Sequence, residues 1–309
     1  MLSRVAENTY WIGRYVERAD SVARLLIDAS QLQLDAAGPS GGPRPLENVL
    51  AILNCRAAFD ETATGTTGEA VVRFLALERG SGTSVVDMIG RARENARGAQ
   101  ETLGAEAWSQ LNELYLFLTG PRAEARFRAA AVRFCQRVVR GCTLFAAVVD
   151  GTLPRTEVFH FLTVGRHLER VDMLARTLNA HCLLAAPAPV EAPQRLHWAS
   201  LLRTCSAFEA YLRHSRERLD PPGVVRYLLL EADFPRSMSF ALGRCLESLR
   251  ALAGGPPSTA ERHLGRLEGE LRYLDIDEAF ERGISRFLTG VQDACAQAGE
   301  EIDKAYFQT

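Results

Sequence analysis

Apolar positions recur along this chain with the period of an α-helix. From Ile12 they run through Tyr15, Val16, Ala19, Val22, Ala23, Leu26 and Ala29, a spacing of three and four that lines one helical face. The same periodicity predicts further helices at about 46–62, 71–77, 84–101, 105–118 and 122–149. Six more are expected at about 155–183, 194–218, 224–232, 236–253, 258–275 and 277–306. Glycine and proline punctuate them: Gly38-Pro39-Ser40-Gly41-Gly42-Pro43-Arg44-Pro45, Gly80-Ser81-Gly82, Gly120-Pro121, Pro187-Ala188-Pro189, Asp220-Pro221-Pro222-Gly223 and Gly254-Gly255-Pro256-Pro257 cannot continue a helix. Thr83 or Ser84 supplies an N-cap for the fourth helix, and Ser237 caps the helix after Phe234-Pro235-Arg236. No alternating run long enough for a sheet appears, so the class is all-α.

The pattern occurs twice. Gly13-Arg14-Tyr15-Val16-Glu17-Arg18-Ala19-Asp20 returns 152 positions later as Gly165-Arg166-His167-Leu168-Glu169-Arg170-Val171-Asp172. At a shift of 153, Val71–Glu78 returns as Val224–Glu231, and Gly90-Arg91, Glu94 and Arg97 return as Gly243-Arg244, Glu247 and Arg250. A near-constant shift over separated stretches predicts an internally duplicated helical bundle. Its halves, 1–152 and 153–309, are expected to contain about six helices each and to pack as one body about a pseudo-twofold axis.

The repeat is polar as well as apolar. Gly-Arg-x-x-Glu occurs four times, at Gly13, Gly90, Gly165 and Gly243. An arginine and a glutamate three residues apart are close enough to pair within one helix. The preceding glycine costs about 1 kcal/mol relative to alanine in a helix interior, a cost that close approach by another helix or a ligand would offset. Two readings follow: surface ion pairs worth little each, or a seam where Arg14, Glu17, Arg91, Glu94, Arg166, Glu169, Arg244 and Glu247 converge. Such a seam would suit a charged peptide, an amino acid, a nucleotide-like group or a partner protein.

Composition narrows the field. With 36 basic and 38 acidic residues the net charge is −2, without the basic excess that nucleic-acid binding requires. The basic residues are arginine except for Lys304. Seven cysteines without a Cys-x-x-Cys pair read as reduced, mostly buried thiols of a cytoplasmic protein. The first residues have no apolar core of a secretory signal, and no run of about 18 apolar residues suggests a membrane span. A dimetal site in a helical bundle needs two Glu-x-x-His motifs; only Glu157-Val158-Phe159-His160 fits, so no metal is expected. Neither a G-x-x-x-x-G-K-[ST] loop nor a strand-borne G-x-G-x-x-G is present.

The opening Met1-Leu2-Ser3-Arg4-Val5-Ala6-Glu7-Asn8-Thr9-Tyr10-Trp11-Ile12-Gly13-Arg14-Tyr15-Val16-Glu17-Arg18-Ala19 closely resembles that of the bacterial alpha-E domain family. So do Arg93-Glu94-Asn95-Ala96-Arg97, Asn112-Glu113-Leu114-Tyr115, Gly165–Asp172 and Phe234-Pro235-Arg236-Ser237. The resemblance implies a helical protein encoded with, or fused to, a circularly permuted ATP-grasp ligase, often beside a transglutaminase-like protein and sometimes a proteasome-like peptidase. It implies a role in making or modifying amide bonds on a peptide or small amine, with ATP supplied through the ligase and no cofactor of its own. Carried over by position, the family's charged residues are Glu7, Arg14, Glu17, Arg18, Glu94, Arg97, Glu169, Arg170 and Arg236, with Ser237 beside them. The chain departs from the family at Arg155-Thr156-Glu157-Val158-Phe159, where relatives have Arg-Asp-Glu-Gly-Trp. It departs again at Ser81-Gly82-Thr83-Ser84, where they have Asn-Pro-Ser-Ser.

Three functions remain open at this point: a partner or co-catalytic subunit of the ligase, a stand-alone enzyme with Glu17, Glu94, Glu169 and Glu247 as acid/base groups, or a scaffold glued by the repeated stripe. No catalytic residue is assigned.

Overall fold

The computed structural model describes residues 3–35, 45–62, 65, 67–184, 192–215 and 219–308. Of the loops expected at 38–45 and 187–189, only Pro45 is among them, and it opens the next helix, as proline can at a first turn. The described residues are helical and contain no strand. In order the helices are α1 (Ser3–Asp35), α2 (Pro45–Ile52), α3 (Arg56–Thr62), α4 (Gly68–Leu77), α5 (Val85–Gly98), α6 (Gln100–Leu103), α7 (Ala105–Thr119), α8 (Ala123–Ala129) and α9 (Ala131–Thr152). They continue as α10 (Glu157–Leu184), α11 (Ala192–Thr204), α12 (Phe208–Ser215), α13 (Pro221–Leu230), α14 (Met238–Ala253), α15 (Thr259–Arg272), α16 (Ile276–Glu281) and α17 (Ile284–Tyr306).

Seventeen helices among the described residues replace the twelve read from periodicity, because five of the expected helices are each broken in two. Two breaks are Schellman turns built the same way. Asn54 and Ser206 take left-handed φ values of 49° and 54°. Cys55 N then donates to Leu50 O at 3.0 Å, and Ala207 N to Leu202 O at 2.7 Å, satisfying carbonyls left open at a helix end. Neither residue is glycine, so the left-handed backbone costs energy there, less at Asn54 than at Ser206 because asparagine tolerates that region better. Gly283, at φ 88°, separates α16 from α17; Ala99 and Ala130 mark the remaining two breaks.

The long helices α1 and α10, of 33 and 28 residues, form the centre. Helices α5 and α9 pack on α1 with α7 closing the group, while α14 and α17 pack on α10 with α15 in the corresponding place. Two hydrophobic clusters result, and each central helix serves both. Ile12, Val16, Ala19, Val22 and Leu26 of α1 join Leu162 and Met173 of α10 in one. Ala6 and Tyr10 of α1 join Val164, Leu168, Val171 and Leu178 of α10 in the other. A helix buried on opposite sides loses the one-faced amphipathicity of a surface helix, so the polar residues of α1 and α10 are enclosed with the apolar ones.

The N-caps follow expectation. Ser84 Oγ accepts from Asp87 N at 3.2 Å and donates to Glu78 O at 2.5 Å. Ser237 Oγ accepts from Phe240 N at 3.1 Å and donates to Glu231 O at 2.5 Å. The hydroxyl thus ties each helix start to the end of the helix before it. In the Ser81–Ser84 turn, Asp87 also accepts from the backbone N–H of Gly80 and Gly82 at 3.1 and 2.8 Å. Among the described residues no helix is long and apolar enough to cross a membrane.

Candidate functional site

Where α1 crosses α10, the glycines of the first and third Gly-Arg-x-x-Glu motifs let backbone meet backbone. A Cβ at Gly13 would lie 2.3 Å from Leu162 O, and one at Gly165 would lie 2.1 Å from Tyr10 O. Both distances are well inside van der Waals contact, so only glycine permits this approach. One turn further on, Glu17-Arg18 and Glu169-Arg170 face each other across the crossing.

Their pairing is reciprocal. Arg170 Nε and Nη2 donate to Glu17 Oε1 and Oε2 at 2.7 and 2.8 Å. Arg18 donates through Nε to Glu169 Oε1 and through Nη2 to Oε2, the latter at 2.9 Å. Arg14 Nε adds a third donor to Glu169 at 2.5 Å and gives Nη1 to the Tyr10 hydroxyl at 2.8 Å. Arg236, from the turn before α14, pairs with Asp20 and lies 3.6 Å from Glu17. Asp20 and Asp172 hold Arg24 and Arg176 on their own helices at 2.8 and 2.9 Å. The geometry is that of the planar guanidinium fork on a carboxylate, the strongest form of this pairing.

Both glutamates are enclosed, Glu169 with no exposed side-chain surface and Glu17 with 6%. Burial alone would raise their carboxyl pKa values. The guanidinium groups of Arg170 and Arg236 outweigh it at Glu17, and those of Arg14 and Arg18 at Glu169, so both lie below the ordinary carboxylate range. Arg14 is raised: burial opposes its charge, but Glu169 and Tyr10 favour it more. Arg170 is lowered, burial and the neighbouring Arg236 and Arg166 exceeding the pull of Glu17. Neither glutamate holds a proton to give near neutral pH. Nor is either an available base, since its oxygens are taken by arginines. The crossing is a clasp.

The four motifs do not converge. Arg14 and Glu17 pair across to α10 and not with each other along α1, because the crossing offers each a closer partner of opposite charge. Arg166 leans on Asp150 at 3.2 Å, with Glu17 feeling its charge at longer range. Glu94 is exposed and pairs with Arg93 and Arg97 at 2.7 and 2.9 Å. Arg91 is exposed and sits over the Tyr15 ring. Arg244 and Glu247 form an intrahelical pair at 2.5 Å, Glu247 being exposed. Glu7 is exposed near the start of α1. Ser237 is a buried cap. The difference lies in the glycines: a Cβ at Gly243 would meet nothing within 4 Å, and one at Gly90 only Tyr115 at 3.9 Å, so no helix among the described residues crosses there to bury the charges.

Asp20 and Asp172 belong to the clasp although the Gly-Arg-x-x-Glu reading left them out; they close both repeated octapeptides. A further buried carboxyl, Asp28, lies outside the repeated motif and carries no signal in the sequence. It accepts a hydrogen bond from Ser200 of α11, and burial pushes its pKa up to about 6 against the pull of Ser200 and Thr204. Between α10 and α11, His181 Nδ1 lies 3.2 Å from His197 Nε2, and burial followed by the His197 charge depresses His181 to about 3. The seven cysteines are free, Cys182 being half-buried and the others buried. Among the described residues no group of three His, Cys, Asp or Glu side chains is placed to hold a metal.

The sequence model of the Alpha-E family, described as a predicted alpha-helical domain with a conserved ER motif, matches residues 1–307. The chain belongs to the Alpha-E family. An uncharacterised protein of Mycobacterium bovis is 24% identical over 298 residues, covering 89% of this chain and 33% of the relative. Uncharacterised proteins from two strains of Mycobacterium tuberculosis match with the same identity and coverage. The chain therefore spans about a third of the length of the curated relatives it matches. No solved structure matches. In this Alpha-E chain the Glu-Arg dipeptides of α1 and α10 each place their glutamate on the other's arginine. An ER motif so placed joins two central helices.

Proposed function

We propose that this Alpha-E chain works as a non-catalytic partner of an ATP-grasp amide ligase, presenting a charged peptide or amino-acid substrate or docking the ligase, with ATP bound by the ligase. The observation that carries the reading is the state of Glu17 and Glu169. Both are ionised, buried and occupied by guanidinium groups, which removes the best acid/base candidates for a stand-alone enzyme. The length of the mycobacterial relatives supports it too, since about two thirds of each lies beyond the match; the unit there shares a polypeptide with other segments. A transglutaminase-like protein is a further expected companion, and the cytoplasm the expected compartment.

The test is reconstitution of the purified chain with its neighbouring ATP-grasp ligase, candidate amines and carboxylic acids, following nucleotide hydrolysis and product mass. Turnover is expected only when both proteins are present. ATP hydrolysis or amide formation by this chain alone overturns the proposal.

The clasp itself reads as scaffold. Its buried, reciprocal geometry favours a joint between α1 and α10, with recognition on neighbouring surface.

A further inference from the structure

Beside the clasp lies a small cleft walled by α1, α10, the end of α11 and the turn before α14. Three arginines line it: Arg24, Arg170 and Arg236. Ser21 adds a hydroxyl, those of Thr177 and Thr204 being turned to Met173 O and Asp28, and Leu25, Met173 and Leu174 form apolar wall. Among the described residues no carboxylate lines it. We propose that this cleft binds a single carboxylate group of an amino acid or peptide. The proposal rests on the reading above and names the chemistry of the substrate.

Donor accounting supports it. Arg170 spends Nε and Nη2 on Glu17 and Nη1 on Pro235 O. Arg24 spends Nε on Asp20 and Nη1 on Ser206 Oγ, which leaves its Nη2 uncommitted among the described residues. Arg236 spends Nη2 on Asp20 and holds Nη1 3.6 Å from Glu17, leaving its Nε. The cleft therefore keeps guanidinium donors from two side chains whose planes are already fixed by Asp20. Donors held in place before binding lose little freedom when a ligand arrives.

Charge sets the valence. The three arginines face two acids behind them, Glu17 and Asp20, each no more than 6% exposed, so one positive charge is left over. Arg166 is matched by Asp150, and Asp28, behind Thr204, by the field of Arg203. A surplus of one suits a monovalent carboxylate better than a phosphate dianion or a nucleotide triphosphate. Size limits the guest: the cleft volume is about 40 Å³, more than one water needs and enough for a carboxylate tip, with the rest of the molecule held outside.

The corresponding place on the other side of the clasp differs. The residue 153 positions before Arg236 is Thr83, too short to reach across, and Arg18 is 32% exposed where its counterpart Arg170 is 11% exposed. The third arginine thus stands on one side only.

The experiment titrates the intact chain, without ligase, by calorimetry with three probes: an N-acetylated amino acid with a free α-carboxylate, its carboxamide, and inorganic phosphate. Two variants are used. Arg24→Gln removes an uncommitted donor. Ser21→Phe fills the cleft while leaving every arginine in place. Saturable binding of the carboxylate, no binding of the carboxamide, and at least about tenfold weakening in both variants are expected, with unchanged melting of Ser21→Phe. Carboxamide binding equal to carboxylate binding, a preference for phosphate, full affinity in Ser21→Phe, or no carboxylate binding up to about 10 mM overturns it. Because ligase is absent, failure here leaves the partnership to be decided by ATP turnover in the reconstituted pair, and the reverse also holds.

Discussion

Replacing glycine by alanine should stabilise some Gly-Arg-x-x-Glu motifs and destabilise others, although the local sequences look alike. In a helix interior the change is worth up to about 1 kcal/mol in favour of alanine. At Gly243 nothing lies within 4 Å of the added methyl, so Gly243→Ala should gain about 0.5–1 kcal/mol. At Gly165 the methyl would meet Tyr10 O at 2.1 Å and Arg14 N at 3.2 Å. Both are backbone atoms of a long helix and cannot rotate away. The helices must part by about 1 Å to reach a normal contact, where overpacking costs about 1–3 kcal/mol. Parting also lengthens the 2.7–2.9 Å pairs of the clasp. Taking the upper part of that range and subtracting the propensity gain leaves a net loss of about 2 kcal/mol. Each kcal/mol moves Tm by roughly 2 °C in a chain of this size. Thermal and urea unfolding should therefore place Gly165→Ala about 4 °C below the parent and Gly243→Ala roughly 1–2 °C above it. Gly13→Ala should behave as Gly165→Ala. Equal, stabilising shifts at Gly165 and Gly243 would refute a backbone crossing at α1 and α10.

Glu169→Ala strands the buried Arg14 and leaves the partly exposed Arg18 without its partner, and should cost about 3 kcal/mol in urea unfolding, whereas Glu94→Ala, at an exposed pair, should stay within about 0.5 kcal/mol. Asp28 sets a pH dependence of opposite sign to the clasp: its folded pKa of about 6 stands above the ordinary 3.8, so the stability it contributes is complete below about pH 4 and is lost as pH rises through about 6. The shift of about 2 units corresponds to at most about 3 kcal/mol, so Asp28→Asn should raise stability at pH 8 by up to that amount and leave pH 4 nearly unchanged; an equal effect at both pH values would contradict a buried, proton-holding carboxyl. Glu17 and Glu169, held low by arginine, contribute stability above the ordinary carboxylate range that falls away only at acid pH. Asn54→Gly should add a few tenths to about 1 kcal/mol by relieving the left-handed backbone, and a loss of stability in thermal melts would mean the Asn54 side chain is needed in that turn.

Much of the architecture is readable from the chain. The period of three and four dictates helices, because an apolar face at that spacing can be buried only by a helix. Glycine–proline clusters and the Ser84 and Ser237 caps fix where several begin and end. The breaks at Asn54 and Ser206 do not show in the glycine and proline punctuation, since other residue types take the left-handed turn there. The pairing of charges divides along the same line. Sequence spacing places Arg14 and Glu17 within reach of each other, as it does Arg244 and Glu247, and only the latter pair is made along its helix. Spacing along one helix specifies which side chains share a face. It contains nothing about what that face meets. The meeting of α1 with α10, through two glycines whose backbones touch, turned one Gly-Arg-x-x-Glu pair of motifs into a buried clasp and left the other in water. Which charges are desolvated is a property of two surfaces in contact, and only the folded chain brings those surfaces together.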